Sequence, residues 1–174
     1  WWLEGHRAAA DALGRIGGAA AVPGLEQELV EGNDNDRWAA AGALGKTGHV
    51  AAVRGLLAAL ADFDFYVRGA AAEALGQISD AVAVPGLLAA LRDESNYVRG
   101  AAAEALGRIG NAAAVPRLLE ALGDSDFIVH GAAAKALGQI GDAAAVPGLL
   151  AAPGDEVDYN RRAAAEALGK NSDR

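Results

Sequence analysis

A 31-residue period runs through the chain without insertion or deletion, and it limits what the chain can fold into. Stepping by 31 carries Leu13 to Leu44, Leu75, Leu106, Leu137 and Leu168. The same step carries Gly14 to Gly45, Gly76, Gly107, Gly138 and Gly169, and Arg37, Arg68, Arg99 and Arg161 share the lattice. A fixed period of about 20–50 residues marks a solenoid, whose units cannot bury an apolar face alone and pack on their neighbours. One continuous stack is therefore expected over residues 1–174, with units at about 4–34, 35–65, 66–96, 97–127 and 128–158 and a terminal half unit at 159–174.

Within the unit from Tyr66 to Asp93, Val67, Ala71, Ala74, Leu75 and Ile78 have the spacing of one helical face. The interleaved alanines favour the same helix. It is predicted to stop near Ile78, where Gly17, Gly48, Gly110 and Gly141 mark equivalent stops and Ser79 departs from them. Val84, Leu87, Leu88 and Leu91 repeat the helical spacing in the second half. Asp80, Asn111 and Asp142 are suited to cap that second helix, and Pro85 and its equivalents sit where a missing N–H costs little. A polar turn through Asp93, Glu94, Ser95 and Asn96 leads onward. Two helices per unit predict an all-α, right-handed α-solenoid of about eleven helices in an inner and an outer layer.

Pro85, Asp93, Val98 and Arg99, followed by the run from Ala101 to Gly110, resemble the HEAT-like repeats of the phycobilisome-lyase type and the artificial alpha-Rep proteins derived from them. The resemblance covers essentially the whole chain. It implies that the helix after each Val-Arg pair lines a concave side. It also implies a hydrogen-bonded ladder between units, with Glu31, Asp62, Asp93, Asp124 and Asp155 as acids. The partners would be His6, Arg37, Arg68, Arg99, His130 and Arg161, with the two histidines weakening the ladder locally. A pair repeated in every unit serves stacking, whereas catalysis needs its group once. Asp36, Thr47 and Arg54 in the second unit, and Pro153 and Asn160 in the fifth, break the pattern and are expected soft spots.

With Val67 set toward the core, a helical step puts Gly69, Ala70, Glu73 and Gln77 on a separate stripe, with Tyr66 beside it. Across units the stripe gives columns of Trp38, Gly69, Gly100 and Gly131, of Glu73, Glu104 and Lys135, and of Lys46, Gln77, Arg108 and Gln139. Asp11–Arg15, Glu104–Arg108 and Glu166–Lys170 are i,i+4 pairs worth about 0.2–0.5 kcal/mol each, so part of this face answers its own charge. Gly69, Gly100 and Gly131 each cost about 1 kcal/mol against alanine inside a helix, and helix formation does not ask for them. They are expected to floor a shallow groove walled by Trp38, Phe65, Tyr66, Tyr97, Phe127 and Tyr159, a shape suited to a helix or an extended segment. Stapling each turn onto its helix is the alternative role for those aromatics. The partner-binding set expected from the sequence is thus Trp38, Phe65, Tyr66, Gly69, Glu73, Tyr97, Gly100, Glu104, Arg108, Phe127, Gly131 and Lys135. Ala83, Gly86, Ala89 and Ala90 of the other helix are expected to point outward, an uncharged face that we read as compositional.

The chain is 52% hydrophobic, which argues against disorder, and its net charge of −8 argues against nucleic acid or an anionic membrane as partner. No unbroken apolar run reaches about 18 residues. Cysteine is absent, which excludes disulfides and thiolate chemistry and fits a cytoplasmic protein. His6, His49 and His130 are far apart and none precedes Glu, whereas HEAT-like iron hydroxylases carry paired His-Glu motifs; no metal or cofactor is expected. Asn33 to Asp36 lack the closing Glu of a calcium loop and read as a helix cap. The expected function is a protein–protein interaction scaffold that binds a protein or peptide through its concave helices, without catalysis. A bilin lyase or chromophore-handling subunit is an alternative that the resemblance allows. An engineered repeat protein is another, against which Thr47, Arg54 and Pro153 speak. Trp1 and Trp2 on the opening helix suggest end-to-end self-association.

Overall fold

The computed structural model describes Ala12, residues 18–151 and 157–172, with side chains for Ala12, 18–151 and 161–170. The expectations for Trp1, Trp2, His6, Asp11, Arg15, Gly17, Pro153, Asp155, Tyr159 and Asn160 lie outside that set. The described α-helices are α1 Val22–Glu31, α2 Asp34–Thr47, α3 Val53–Ala59, α4 Phe65–Ile78 and α5 Val84–Ala90. They continue with α6 Asn96–Ile109, α7 Val115–Ala121, α8 Phe127–Ile140, α9 Val146–Ala151 and α10 Val157–Ser172. No strand occurs among the described residues. Long helices alternate with short ones: α2, α4, α6 and α8 have 14 residues each, and α3, α5 and α7 have 7.

Local chemistry sets the ends of these elements. Asn33, Asp64 and Asp126 accept backbone N–H groups at the start of α2, α4 and α8. Gly48, Ser79, Gly110 and Gly141 end the long helices in the left-handed conformation, with φ of 63, 57, 72 and 70°. Serine tolerates the position because its Oγ donates to the Gly76 carbonyl at 2.8 Å. Asp80, Asn111 and Asp142 cap as expected, but the element they cap is a three-residue 3-10 turn that precedes the short helix. His49 holds the same place in its unit, its Nδ1 accepting the Ala51 N–H at 3.2 Å. That extra turn is why the short helices are half as long as the long ones.

The core is a column of repeated residues. Leu44, Leu75, Leu106 and Leu137 are completely buried, as are Ala40, Ala71, Ala102 and Ala133. The short helices contribute Leu25, Leu56, Leu87, Leu118 and Leu149. The lattice glycines let the long helices meet backbone to backbone. A Cβ on Gly45, Gly76 or Gly107 would lie 2.7 Å from the Cα of Ala74, Ala105 or Ala136. Between the short helices clefts open in places, about 640 Å³ between α1 and α3 and about 220 Å³ between α5 and α7. The long helices thus form the more closely packed layer, as the concave side implied by the resemblance requires.

The outward face expected on the short helices is corrected by the packing. Ala83 and Ala90 are buried, and Leu57 and Leu60 of the preceding unit lie over Gly86; Ala89 alone of the four is exposed. Leu119 meets Gly148 in the same way. Small residues there seat a neighbour's leucine, so the lack of charge reflects contact between units and not composition.

Among the described residues, three rungs of the ladder are seen in full. Arg37 grips both oxygens of Asp62 at 2.8 and 2.9 Å, Arg68 those of Asp93 at 2.7 and 2.9 Å, and Arg99 those of Asp124 at 2.7 and 3.0 Å. Each guanidinium also donates to its own preceding turn, through the carbonyls of Gly32, of Asp62 and Phe63, and of Asp93 and Glu94. One arginine therefore fixes two consecutive turns, and fork geometry makes such bidentate pairs specific. His130 is buried at the next position of the lattice. Glu31 is exposed and accepts a hydrogen bond from Gln27 at 3.0 Å.

Candidate functional site

The stripe read from the sequence lies on α2, α4, α6, α8 and α10, and it divides into two parts with different chemistry. The first is aromatic. Phe65 and Tyr66 pack at a ring-centroid distance of 4.1 Å, and Tyr66 and Tyr97 at 6.1 Å. Tyr97 lies directly over Gly69 and donates its hydroxyl to Glu73 Oε1 at 3.0 Å. Burial, reinforced by the adjacent Glu73 charge, pushes the Tyr97 phenol well above its ordinary value of 10.0. Gly69 thus seats a ring, and the open floor expected there is filled. The Ile128 Cγ2 reaches to 3.5 Å of a Cβ built on Gly100, and no described atom comes within 4 Å of one on Gly131. Trp38 is half-buried against the core, while Phe65 and Tyr66 keep 39% and 55% of their surface exposed.

The second part is charged. Glu104 stands between Arg108 at 3.5 Å and Lys135 at 3.7 Å, and Glu166 pairs with Lys170 at 3.2 Å. Lys170 also donates to the Gln139 carbonyl at 2.8 Å. Lys135, Gln139, Arg162, Ala163 and Glu166 line a recess of about 300 Å³ between α8 and α10. Phe127 and Ile128 stand exposed where α8 begins, at 71% and 54%. The structure therefore gathers Phe65, Tyr66, Gly69, Glu73 and Tyr97 into one group and Glu104, Arg108 and Lys135 into another. Ile128 and Arg162 were left out of the sequence-based set, although their lattice columns contain Tyr66 and Trp38. No group of metal-ligating side chains occurs among the described residues. None of their helices is long and apolar enough to cross a membrane.

HEAT repeats match residues 22–96 and 84–169, and the PBS lyase HEAT-like repeat matches residues 6–31. Among solved structures, the chain is similar to one in the complex of CpcE and CpcF of phycocyanin lyase from Nostoc sp. PCC7120. Identity is 30% and the TM-score 0.72, over 85% of this chain and 65% of that one, so this chain spans 65% of the lyase chain's length. It is also similar to a designed armadillo repeat protein in complex with the peptide (KR)4, at 21% identity and a TM-score of 0.68, over 93% and 91% of the two chains. Human deoxyhypusine hydroxylase in complex with glycerol is similar at 22% identity and a TM-score of 0.57, over 97% of this chain and 80% of that one. These last two likenesses show the fold alone. No curated protein sequence matches the chain.

Proposed function

The chain belongs to the HEAT-repeat family, and from that premise we propose that it is an interaction scaffold receiving a protein or peptide segment on its concave, long-helix face. The carrying observation is a contrast between lattice positions on the same helices. Inward positions repeat unchanged, as in Ala40, Ala71, Ala102 and Ala133 or in Gly45, Gly76, Gly107 and Gly138. Outward positions vary along the stack, as in Trp38, Gly69 and Arg162 or in Gly42, Glu73, Lys135 and Glu166, although Gly69 recurs as Gly100 and Gly131 and Glu73 as Glu104. Stacking demands the first set and places no demand on the second. The likeness to the lyase chain, which is seen in a complex with a second chain, supports the reading. The scaffold is taken as one continuous stack over residues 1–174.

The test is photo-crosslinking in extract of the source cells from probes placed at Tyr66, at Phe127 and, as control, at Val82 on the short-helix side. The concave probes are expected to trap the same protein, and the combined substitution of Tyr66→Ala and Phe127→Ala to abolish its capture in a pull-down. Equal trapping from Val82, with no effect of the double substitution, would refute the reading. The likeness to the phycocyanin lyase chain at 30% identity favours one second reading, a chromophore-handling subunit in which Phe65, Tyr66, Tyr97 and Glu73 hold a tetrapyrrole. A shift in visible absorbance on mixing with free bilin is its expected sign, and an unchanged spectrum removes it.

A further inference from the structure

Resting on the scaffold reading, we propose that the half of the concave face carried by α6, α8 and α10 docks an acidic protein segment that also carries an apolar anchor. The chain has a net charge of −8, yet the described charged side chains on this half run the other way. Arg108, Lys135, Arg162 and Lys170 stand against Glu104 and Glu166. The excess is not cancelled internally. Glu104 is shared by two cations at 3.5 and 3.7 Å, both long for a charge-assisted bond, and Glu166 is engaged by Lys170 at 3.2 Å. Arg162 is exposed and has no ion-pair partner among the described residues. Lys135 and Arg162, from adjacent long helices, both line the 300 Å³ recess together with Glu166, whose charge Lys170 answers at 3.2 Å, so a carboxylate placed there meets two cations against one acid that is already paired.

An apolar contact lies at a fixed distance from that recess. Ile128 is seven positions before Lys135, two turns away on the same face of α8, and is 54% exposed beside Phe127 at 71%. Seven residues of helix rise about 10 Å, which an extended chain crosses in about three residues. A segment with an apolar residue about three positions from a carboxylate would satisfy both contacts. The chain's overall acidity does not forbid this, because exposed charges beyond about 8 Å are largely screened at physiological salt. Nucleic acid fits less well, since Glu104 and Glu166 interrupt the row of cations that a phosphate backbone would follow. The half carried by α2 and α4 lacks this character, because Tyr97 fills the place over Gly69 and Glu73 supplies an acid.

The test is selection of a random peptide library displayed on phage against the full chain, with enriched peptides then titrated by fluorescence anisotropy. Enriched sequences are expected to place Asp or Glu about three positions from Leu, Phe or Trp. Lys135→Glu combined with Arg162→Glu should weaken them by about tenfold or more, and Lys135→Gln with Arg162→Gln by less. Added salt should weaken binding as well, and circular dichroism should match across the variants. The proposal is overturned if enriched peptides lack acids, if both double variants bind as the parent does, if no peptide is enriched, or if a single-stranded oligonucleotide displaces the peptides at lower concentration than they displace each other. Peptides without acids that are lost on the Tyr66→Ala and Phe127→Ala substitutions would sink this inference and leave the scaffold reading standing. Peptides insensitive to every concave substitution would sink both.

Discussion

A Cβ on Gly69 would collide with the Tyr97 ring. Gly69→Ala is therefore expected to turn that ring outward, break its hydrogen bond to Glu73 and return the phenol toward its ordinary ionisation at 10.0. Absorbance titration checks this: the late-titrating component assigned to Tyr97 by its loss in Tyr97→Phe should be present in the parent and absent in the variant. A late-titrating tyrosine that survives would mean that Gly69 does not seat the ring. The sequence showed that something other than helix formation asks for this glycine. It did not show what, because Gly69 and Tyr97 sit on different helices and periodicity along one helix is silent on which side chain crosses to the next. Ser79 is the reverse case. Its φ of 57° fits glycine, as its lattice equivalents show, so Ser79→Gly should raise unfolding stability by about 0.5–1 kcal/mol, less what the lost Oγ bond contributed. Denaturant unfolding measures it.

Helix ends were legible because capping is local. Asp64 accepts the N–H groups of Tyr66 and Val67 at 2.8 and 3.2 Å, whereas Ser95, at the same place before α6, accepts none with its side chain. Asp64→Ala should cost about 1 kcal/mol of stability and Ser95→Ala only a few tenths. Equal costs in urea unfolding would show that the cap bond is not what the first turn depends on. The 3-10 turns before the short helices escaped the sequence, since Asp80 and Asn111 cap a 3-10 turn and an α-helix by the same bond. Contact between elements is set by the lattice glycines. Gly76→Ala would bring a Cβ to 2.7 Å from the Ala105 Cα, so α4 and α6 must separate. Overpacking of about 1–3 kcal/mol exceeds the gain of about 1 kcal/mol in helix propensity, and the variant should unfold at lower denaturant. Stabilisation would show that the long helices are not in backbone contact.

The ladder ties the stack together along its length and gives it an acid limit. Burial opposes ionisation of Asp62 and Asp93, but hydrogen bonds from Arg37 or Arg68 and from the N–H of Asp64 or Ser95 outweigh it and hold both carboxyls below their ordinary value of 3.8. For Asp124 the Arg99 hydrogen bond leads, with the same direction. A folded-state value below the unfolded one adds stability that is complete above the unfolded value and is lost as pH falls through the folded one. Urea midpoints should hold level between about pH 5 and 7 and drop below about pH 4. Asp93→Asn should cost about 2–3 kcal/mol at neutral pH and flatten the acid decline, because Arg68 then keeps its charge at 7% exposure with half its partner gone. A midpoint that rises on acidification would contradict the ladder.

The helical stack and its helix pairs followed from the sequence alone, because they depend on contacts that recur at one fixed interval, and a repeated interval is visible without coordinates; the ladder was what the resemblance to HEAT-like repeats implied. Where clefts open between the short helices, the seating of Leu57 over Gly86, the ring of Tyr97 over Gly69, and the recess lined by both Lys135 and Arg162 were decided only in three dimensions. Those depend on how far apart neighbouring helices lie and how they are turned, and the spacing of residues along one helix carries neither quantity.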